Sequence, residues 1–432
     1  MLGLGFGLAV IVGSTLGIGI LRTPGLVAGQ LSSPRAVLLV WIVGGLYTLV
    51  SAVCFAELGT TWTEAGGYYV YARHAFGDTI GFAVGWTDWL TYCSVLGYVS
   101  IGMAEFIGVL VPALAPLVTV VAITILVALV ALQMAGVKVS SRFQQATTAL
   151  KFVAFVALVV LAFAVRGVSP AAGPSASAAG AAGAAGAIIA LQAVIITYGG
   201  WQSALYFSEE DPNPAVNIPR STIGGVVSVI GVYLLVNVAL LAVLPMSDFA
   251  RSTLPAADAA GAIVGPRGQQ LITILSLISL PPMLNAIMMI GTRILYAMGR
   301  DGLVWNRTAD VSSGGTPVMS TVVTTVVAVA LIASGTFQRL VAITAFFLAL
   351  NYAVCCLALI VLRRREPART RPFRAWGYPW SAFVVLVGAV ALLAGTLIGD
   401  RMNGVIALAL LLAGLAGRAA VARSSRSSRL TA

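Results

Sequence analysis

The chain has 432 residues, of which 59% are hydrophobic and 9% charged; its net charge is +11 and its mean hydropathy +0.99. A soluble protein of this length needs a charged shell, and there are too few charges here to build one. Apolar stretches of roughly 20 residues recur throughout, each long enough to cross about 30 Å of hydrocarbon, so the fold class is an all-α polytopic membrane protein.

In chain order, apolar runs predict twelve spans at about 3–30, 35–58, 80–112, 116–136, 143–166, 184–208, 219–245, 268–298, 317–336, 339–362, 379–400 and 403–421. The first is interrupted. An even number places both termini on one side. Sixteen of the 25 Lys and Arg residues fall on that side, seven fall opposite, and Lys151 and Arg293 lie inside spans. The positive-inside rule therefore makes the termini cytoplasmic, in a cell membrane. The net charge is orientation signal, concentrated in RRREPARTRPFR and the Arg/Ser-rich tail. It calls for contact with membrane lipid rather than for nucleic acid. Cys54, Cys93, Cys355 and Cys356 lie in apolar spans and imply no disulfide framework. The apolar start lacks the basic region of a signal peptide and reads as the first span. Residues 167–183 form a low-complexity outer loop. The Arg-rich, Lys-poor usage points to a GC-rich bacterial genome.

Two segments depart from continuous membrane helix. One is IVGSTLGIGILRTPG at 11–25, with Gly13, Gly17 and Gly19; the other runs from Ile196 to Ser221, with Gly199 and Gly200 adjacent. Glycine in a helix forfeits about 1 kcal/mol relative to alanine. Unpaired backbone in lipid costs several kcal/mol per group, so unwinding is confined to places where it lines a cavity. Gly13 and Gly17 are also a small-xxx-small pair, which fits close helix packing. The two interruptions, however, fall in the first and sixth spans. That spacing suits two inverted five-helix repeats, at 1–166 and 184–362, with a site at their interface, and resembles the leucine-transporter fold. A basic loop at 363–378, two further helices at 379–421 and a basic tail at 422–432 complete the chain.

Such breaks create helix ends inside the membrane. A half-helix beginning near Gly19 offers free N–H groups and about half a positive charge; one ending near Thr15 or Tyr198 offers free carbonyls and the opposite. Half a charge facing a full one at about 4 Å is worth about 2 kcal/mol at an effective dielectric of 20. An α-amino acid zwitterion matches both ends without any buried charged side chain. Among ionisable residues, Lys151 stands about eight residues into the fifth span, where an ammonium is costly and usually functional. Glu105 reads either as a proton or cation site or as a solvated group near the outer interface. Asp88 reads as a helix-end charge, Arg293 as a gate or lipid contact, and His74 as a loop residue. Neither a metal cluster nor a nucleophile with its base is present in the sequence, so no cofactor and no enzymatic activity are expected.

Several motifs, in order and spacing, resemble the amino acid–polyamine–organocation superfamily, in particular the L-type amino acid transporters and their bacterial relatives. They are Gly17-Ile18-Gly19-Ile20-Leu21 with Pro24-Gly25, Glu57-Leu58 with Gly66-Gly67-Tyr68-Tyr69-Val70-Tyr71, and Tyr198-Gly199-Gly200-Trp201 with Glu209-Glu210 and Ile218-Pro219-Arg220. Ala297-Met298-Gly299-Arg300-Asp301-Gly302 and Pro372-Phe373-Arg374 with Gly377-Tyr378-Pro379 follow. The resemblance implies an alternating-access transporter of neutral amino acids, with carriers of cationic amino acids, polyamines or amines as the alternative. It implies that the substrate carboxylate meets the Gly17–Ile20 turn, at the N–H groups of Ile18, Gly19 and Ile20, and that carbonyls of Thr15, Ile196, Thr197 and Gly199 surround the ammonium. Tyr198 and Trp201 would shape and close the site. Ile196 and Leu21 are aliphatic where the family often carries aromatics, Ile196 at the gate. Lys151 would fill the place of a bound sodium ion. The loop near 112–116 lacks the cysteine through which animal relatives join an accessory subunit, so none is expected.

Overall fold

The computed structural model describes residues 2–17, 19–31, 33–166, 184–252, 254–334 and 337–430. Ile18 and the expected loop 167–183 lie outside the described residues. Among the described residues the secondary structure is helical, apart from turns and one isolated bridge between Val311 and Pro317. The α-helices are α1 (Leu4–Thr15), α2 (Gly19–Gln30), α3 (Pro34–Thr61), α4 (Tyr68–Phe76), α5 (Asp78–Leu110), α6 (Val118–Met134), α7 (Val137–Arg166) and α8 (Ala184–Thr197). They continue as α9 (Pro214–Val243), α10 (Met246–Arg251), α11 (Pro255–Val264), α12 (Gly268–Arg300), α13 (Val318–Ser334), α14 (Phe337–Arg365), α15 (Trp380–Gly399) and α16 (Arg401–Leu430). A 3₁₀ segment, Trp201–Glu210, follows α8.

Ten helical stretches are long and apolar enough to cross a membrane, and the pair α1 and α2, with axes 47° apart, passes the same test as one bent span. The protein is a multi-pass membrane protein. Helix is the only open structure whose backbone is satisfied within its own segment, which is why apolar runs of this length take it. α13 is apolar but has only 17 residues.

Three short helices stand where the sequence suggested loops: α4, α10 and α11. At 9, 6 and 10 residues they are too short for a span-length hydropathy signal. Two starts also move. α7 begins at Val137 rather than near 143, because the polar segment before Phe143 is already helical. Lys151 is thus fourteen residues into its helix, about 21 Å from its start at 1.5 Å per residue, deeper than its expected position. α5 begins at Asp78, so Asp88 is no helix-end charge.

One face carries both ends of the chain. Leu2 N donates to Glu210 O at 3.0 Å. Glu210 pairs with Arg293, and seven residues along α12 Arg300 pairs with Glu209 at 2.7 Å. Asp301 then meets Arg73 at 2.7 Å, Arg73 meets Asp78 at 2.8 Å, and Asp78 O accepts from Arg418 at 2.6 Å. On the same chain, Glu57 at the end of α3 is wholly buried. Its carboxylate accepts from Arg363 Nε at 2.7 Å and from the Ala375 amide at 2.7 Å, and pairs with Arg371 at 3.2 Å. The Arg363 guanidinium also lies 3.8 Å from the centre of the Tyr378 ring.

Candidate functional site

α1 stops at Thr15 and α8 stops at Thr197, and the two interruptions meet. Gly199 N closes a tight turn on Ile196 O at 2.9 Å, and Gly200 then adopts φ +113°, which L side chains avoid. A Cβ on Gly200 would lie 2.9 Å from the carbonyl carbon and oxygen of Ser14 and 3.0 Å from Thr15 N. On the other side of the crossing a Cβ on Gly19 would lie 2.9 Å from Thr197 Cγ2. Gly200 O lies 3.0 Å from Ser14 Oγ and 2.6 Å from Ser203 Oγ, and those two hydroxyls are 2.8 Å apart. Thr23 Oγ1 and Thr197 Oγ1 meet at 2.8 Å. Backbone approaches backbone here, so a side chain cannot rotate out of the way. Gly200→Ala is expected to lower uptake at least about tenfold, through about 1–2 kcal/mol of backbone strain plus the forced separation of the breaks. The protein should still elute as wild type on gel filtration; unchanged uptake would show that the contact between the breaks is dispensable.

Helix α7 ties down the segment before the first break. Lys151, fully buried, donates from Nζ to Gly13 O at 2.8 Å. One and two turns earlier, Thr148 Oγ1 and Gln144 Nε2 reach Ala9 O at 3.1 and 3.3 Å. These three residues share one face of the helix at i, i+4 and i+7. Behind them Asn285 of α12 donates to Gln144 Oε1 at 2.9 Å and accepts from Ser140 Oγ and Gln133 Nε2, both at 2.8 Å. A buried polar network thus joins α6, α7 and α12 to α1. Each member has a partner, which is what makes such a network tolerable in a low dielectric.

From the opposite direction, Tyr233 of α9 places its hydroxyl 2.7 Å from Thr15 O and 3.1 Å from Thr197 O. One oxygen therefore spans carbonyls from both breaks. Tyr233 packs against Tyr198 with ring centres 4.9 Å apart and planes tilted by 45°, and both rings lie edge-on to Trp41. Thr15 Oγ1 and Trp41 Nε1 are buried with no hydrogen-bond partner.

The structure brings Thr15, Gly17, Gly19, Thr197 and Gly199 to one crossing, with Ile20 buried beside them and Ile196 half-buried; Ile18 lies outside the described residues. Gly17 faces Met283, whose Sδ would be 2.9 Å from an added Cβ. Met283 follows Pro281 and Pro282, which remove two hydrogen bonds from the middle of α12. Trp201 is buried against Phe55 and Tyr352, at 5.3 and 5.7 Å between ring centres. Lys151 is at Gly13, next to the crossing. Glu105 is not: it is exposed on α5. Asp88 is buried and accepts from Tyr206 OH at 2.6 Å. His74 lies in α4, 3.3 Å from Glu64, and that hydrogen bond holds the Glu64 carboxyl below its usual range. Tyr233, Ser14, Ser203, Gln144 and Asn285 were not singled out from the sequence. Their only signal is polarity within an apolar run.

No group of three or more His, Cys, Asp or Glu side chains is arranged for a metal among the described residues. The model of the amino acid permease family matches residues 7–415. The chain belongs to the amino acid permease family. This permease is 25% identical over 419 residues to SteT, a serine/threonine exchanger of Bacillus subtilis, covering 96% of this chain and 95% of that one. It is 25% identical to the mouse b(0,+)-type amino acid transporter 1, over 86% of this chain and 78% of the relative. The human large neutral amino acids transporter small subunit 2 is likewise 25% identical, over 84% and 70%. The permease is an amino acid transporter of the amino acid–polyamine–organocation superfamily and not an enzyme.

Proposed function

We propose that this permease exchanges small neutral L-amino acids across the membrane by alternating access, without sodium and without an accessory subunit. The observation that carries the reading is the Lys151 ammonium on Gly13 O, 2.8 Å apart, beside the crossing of the two breaks. The Lys151 amine, donating to a carbonyl beside the first break, stands where a symporter needs a metal ion. The substrate carboxylate meets the first N–H groups of α2, at Gly19 and Ile20, with Ile18 adjoining. The ammonium meets the carbonyls that end α1 and α8, among those of Thr15, Ile196, Thr197 and Gly199. Tyr198, Trp201 and Ile196 close over the site. The serine/threonine exchanger among the relatives supports a small polar cargo. Cationic amino acids or polyamines would need a carboxylate at the crossing; among the described residues no Asp or Glu bonds to either break.

In the same reading the bent pair α1–α2 and the short α13 are spans, which with the ten longer stretches makes twelve. Helices 1–5 and 6–10 form inverted repeats, and the face carrying the termini is cytoplasmic, in a bacterial inner membrane.

The test is competition in proteoliposomes. Labelled serine uptake should be blocked by unlabelled serine or threonine and not by their methyl esters or N-acetyl derivatives, because each break reads one charged end. Replacing sodium by choline should leave the rate unchanged. Equal competition by the esters overturns the helix-end mechanism, and strict sodium dependence overturns the role of Lys151.

A further inference from the structure

Among the described residues Asp88 is the one buried acidic or basic side chain that neither the breaks nor the ion pairs of the terminal face use. It sits on α5 about 15 Å from the helix start at 1.5 Å per residue, and 2% of its surface is exposed. Its partner is the Tyr206 hydroxyl at 2.6 Å, on the 3₁₀ segment below the second break. Around it stand other phenols: Tyr92 crosses Tyr206 at 5.5 Å and Tyr68 lies 5.7 Å from Tyr206, while Tyr352 lies 6.0 Å from Tyr68. The Tyr68 hydroxyl is buried without a partner.

Among the described residues no cation pairs with this carboxyl. The ionisable groups that face it are Tyr92 of its own helix, Tyr68 of α4, Tyr206 of the 3₁₀ segment, and Tyr352 and Cys355 of α14. α6 has no ionisable residue, and α13 offers Thr324 to Trp89. Arg73, Arg293, Arg300, Arg363 and Arg418, on helices packed against α5, are each bonded to another acceptor. An isolated charge in such surroundings is far too costly to persist, so the counter-charge has to come from solution. Polar groups also lead from the site toward it. Gly200 N donates to Gln202 Oε1 at 3.2 Å, and Gln202 lies 3.4 Å from both Tyr92 OH and Tyr352 OH, one ring away from Tyr206 and Asp88.

We propose that Asp88 is a proton-binding site linked to the gate on the terminal face: it holds one proton while that face is closed and releases it when the face opens. Opening that face moves Trp201–Glu210 from α5 and takes the Tyr206 hydroxyl with it. Water then reaches the carboxyl, the O–H bond breaks, the proton goes to water, and a hydrated carboxylate remains. Closure reverses this, taking one proton from the solution on the terminal side. The closed state thus binds one proton more than the open state, and acid on that side favours closure. For one proton the closed-to-open ratio changes by up to about tenfold per pH unit.

The inference rests on the alternating-access reading, but its test needs no substrate, so a wrong cargo assignment leaves it standing. Spin labels on Thr79→Cys and Asn213→Cys, both exposed, report the distance between the start of α5 and the end of the 3₁₀ segment. Measured from about pH 5 to about pH 8, the short-distance population should rise as pH falls, by up to about tenfold in ratio per unit, and be flat in Asp88→Asn. Tyr206→Phe keeps the carboxyl and should keep the response. A flat wild type, or an Asp88→Asn variant with the wild-type response, overturns the proposal. If Asp88→Asn does not fold, a pH-jump infrared difference spectrum of the wild type decides: opening must remove a buried carboxylic-acid band, and its persistence overturns the proposal.

Discussion

Lys151→Ala should abolish exchange while leaving a folded, membrane-inserted protein. The Lys151 Nζ donates to Gly13 O in a fully buried setting, so removing it leaves a carbonyl unpaired beside the break, at about 1–3 kcal/mol. Thr148 and Gln144 still hold Ala9 O one turn earlier, so α1 stays docked and the loss is confined to the end of the helix. Insertion should not suffer, because deleting an intramembrane charge favours it. Lys151→Arg should fail as well, since a planar guanidinium cannot replace a compact ammonium in this space. Serine exchange in proteoliposomes, normalised to the amount of monodisperse protein, is the measurement. Wild-type exchange by Lys151→Ala would falsify the surrogate-cation role.

The second large effect belongs to stability. Glu57→Gln leaves Arg363 and Arg371 beside a neutral amide where a buried carboxylate had joined them to the Ala375 amide. Breaking one side of a buried ion pair typically costs about 3–5 kcal/mol, a large part of a domain's margin. The loss should appear as a lower melting temperature and as faster proteolysis within 366–379, the segment that the clasp pins to α3. Glu57→Asp, one methylene shorter, should fall between. A Glu57→Gln protein as heat-stable as wild type would mean that water solvates the arginines and the clasp contributes little.

What the sequence discloses depends on whether a feature leaves a local signal. Gly199 and Gly200 are adjacent in an apolar run, and Lys151 is one of two lysines in the chain, so both stand out without knowledge of neighbours. Tyr233 does not, because what makes it notable is its position opposite two carbonyls 218 and 36 residues away in sequence. Asn285 and Gln144 are equally silent: a single amide in a membrane helix has no periodicity to betray its partner. Asp88 reads as a helix-end charge because nothing local in the sequence shows that its one close partner is Tyr206, 118 residues on, in a buried setting. The partners of Glu57 lie 306 residues or more along the chain, beyond the reach of pattern. Short helices such as α4 are hidden for another reason: nine residues cannot produce a span-length hydropathy signal.

The break between α1 and α2 also divides their allegiances. α1 packs on α7, α9, α12 and the 3₁₀ segment, whereas α2 packs chiefly on α8, α10 and α11, with slighter contact to α3 and α9. Each half of the first broken span is therefore fastened to the corresponding half of the other: α1 to Trp201–Glu210, and α2 to α8. In the alternating-access mechanism proposed above, the crossing of Gly200 with Ser14 is the pivot of a pair of shears, with α1 and Trp201–Glu210 as one blade and α2 and α8 as the other. In that reading a force that swings one blade need not bend any helix, because α1 and α8 already end at Thr15 and Thr197, before the pivot. In the proposed mechanism the pivot is also where the cargo binds, so occupancy and blade angle are read at the same atoms, and a ligand that fits the crossing in only one geometry selects the position of both blades at once.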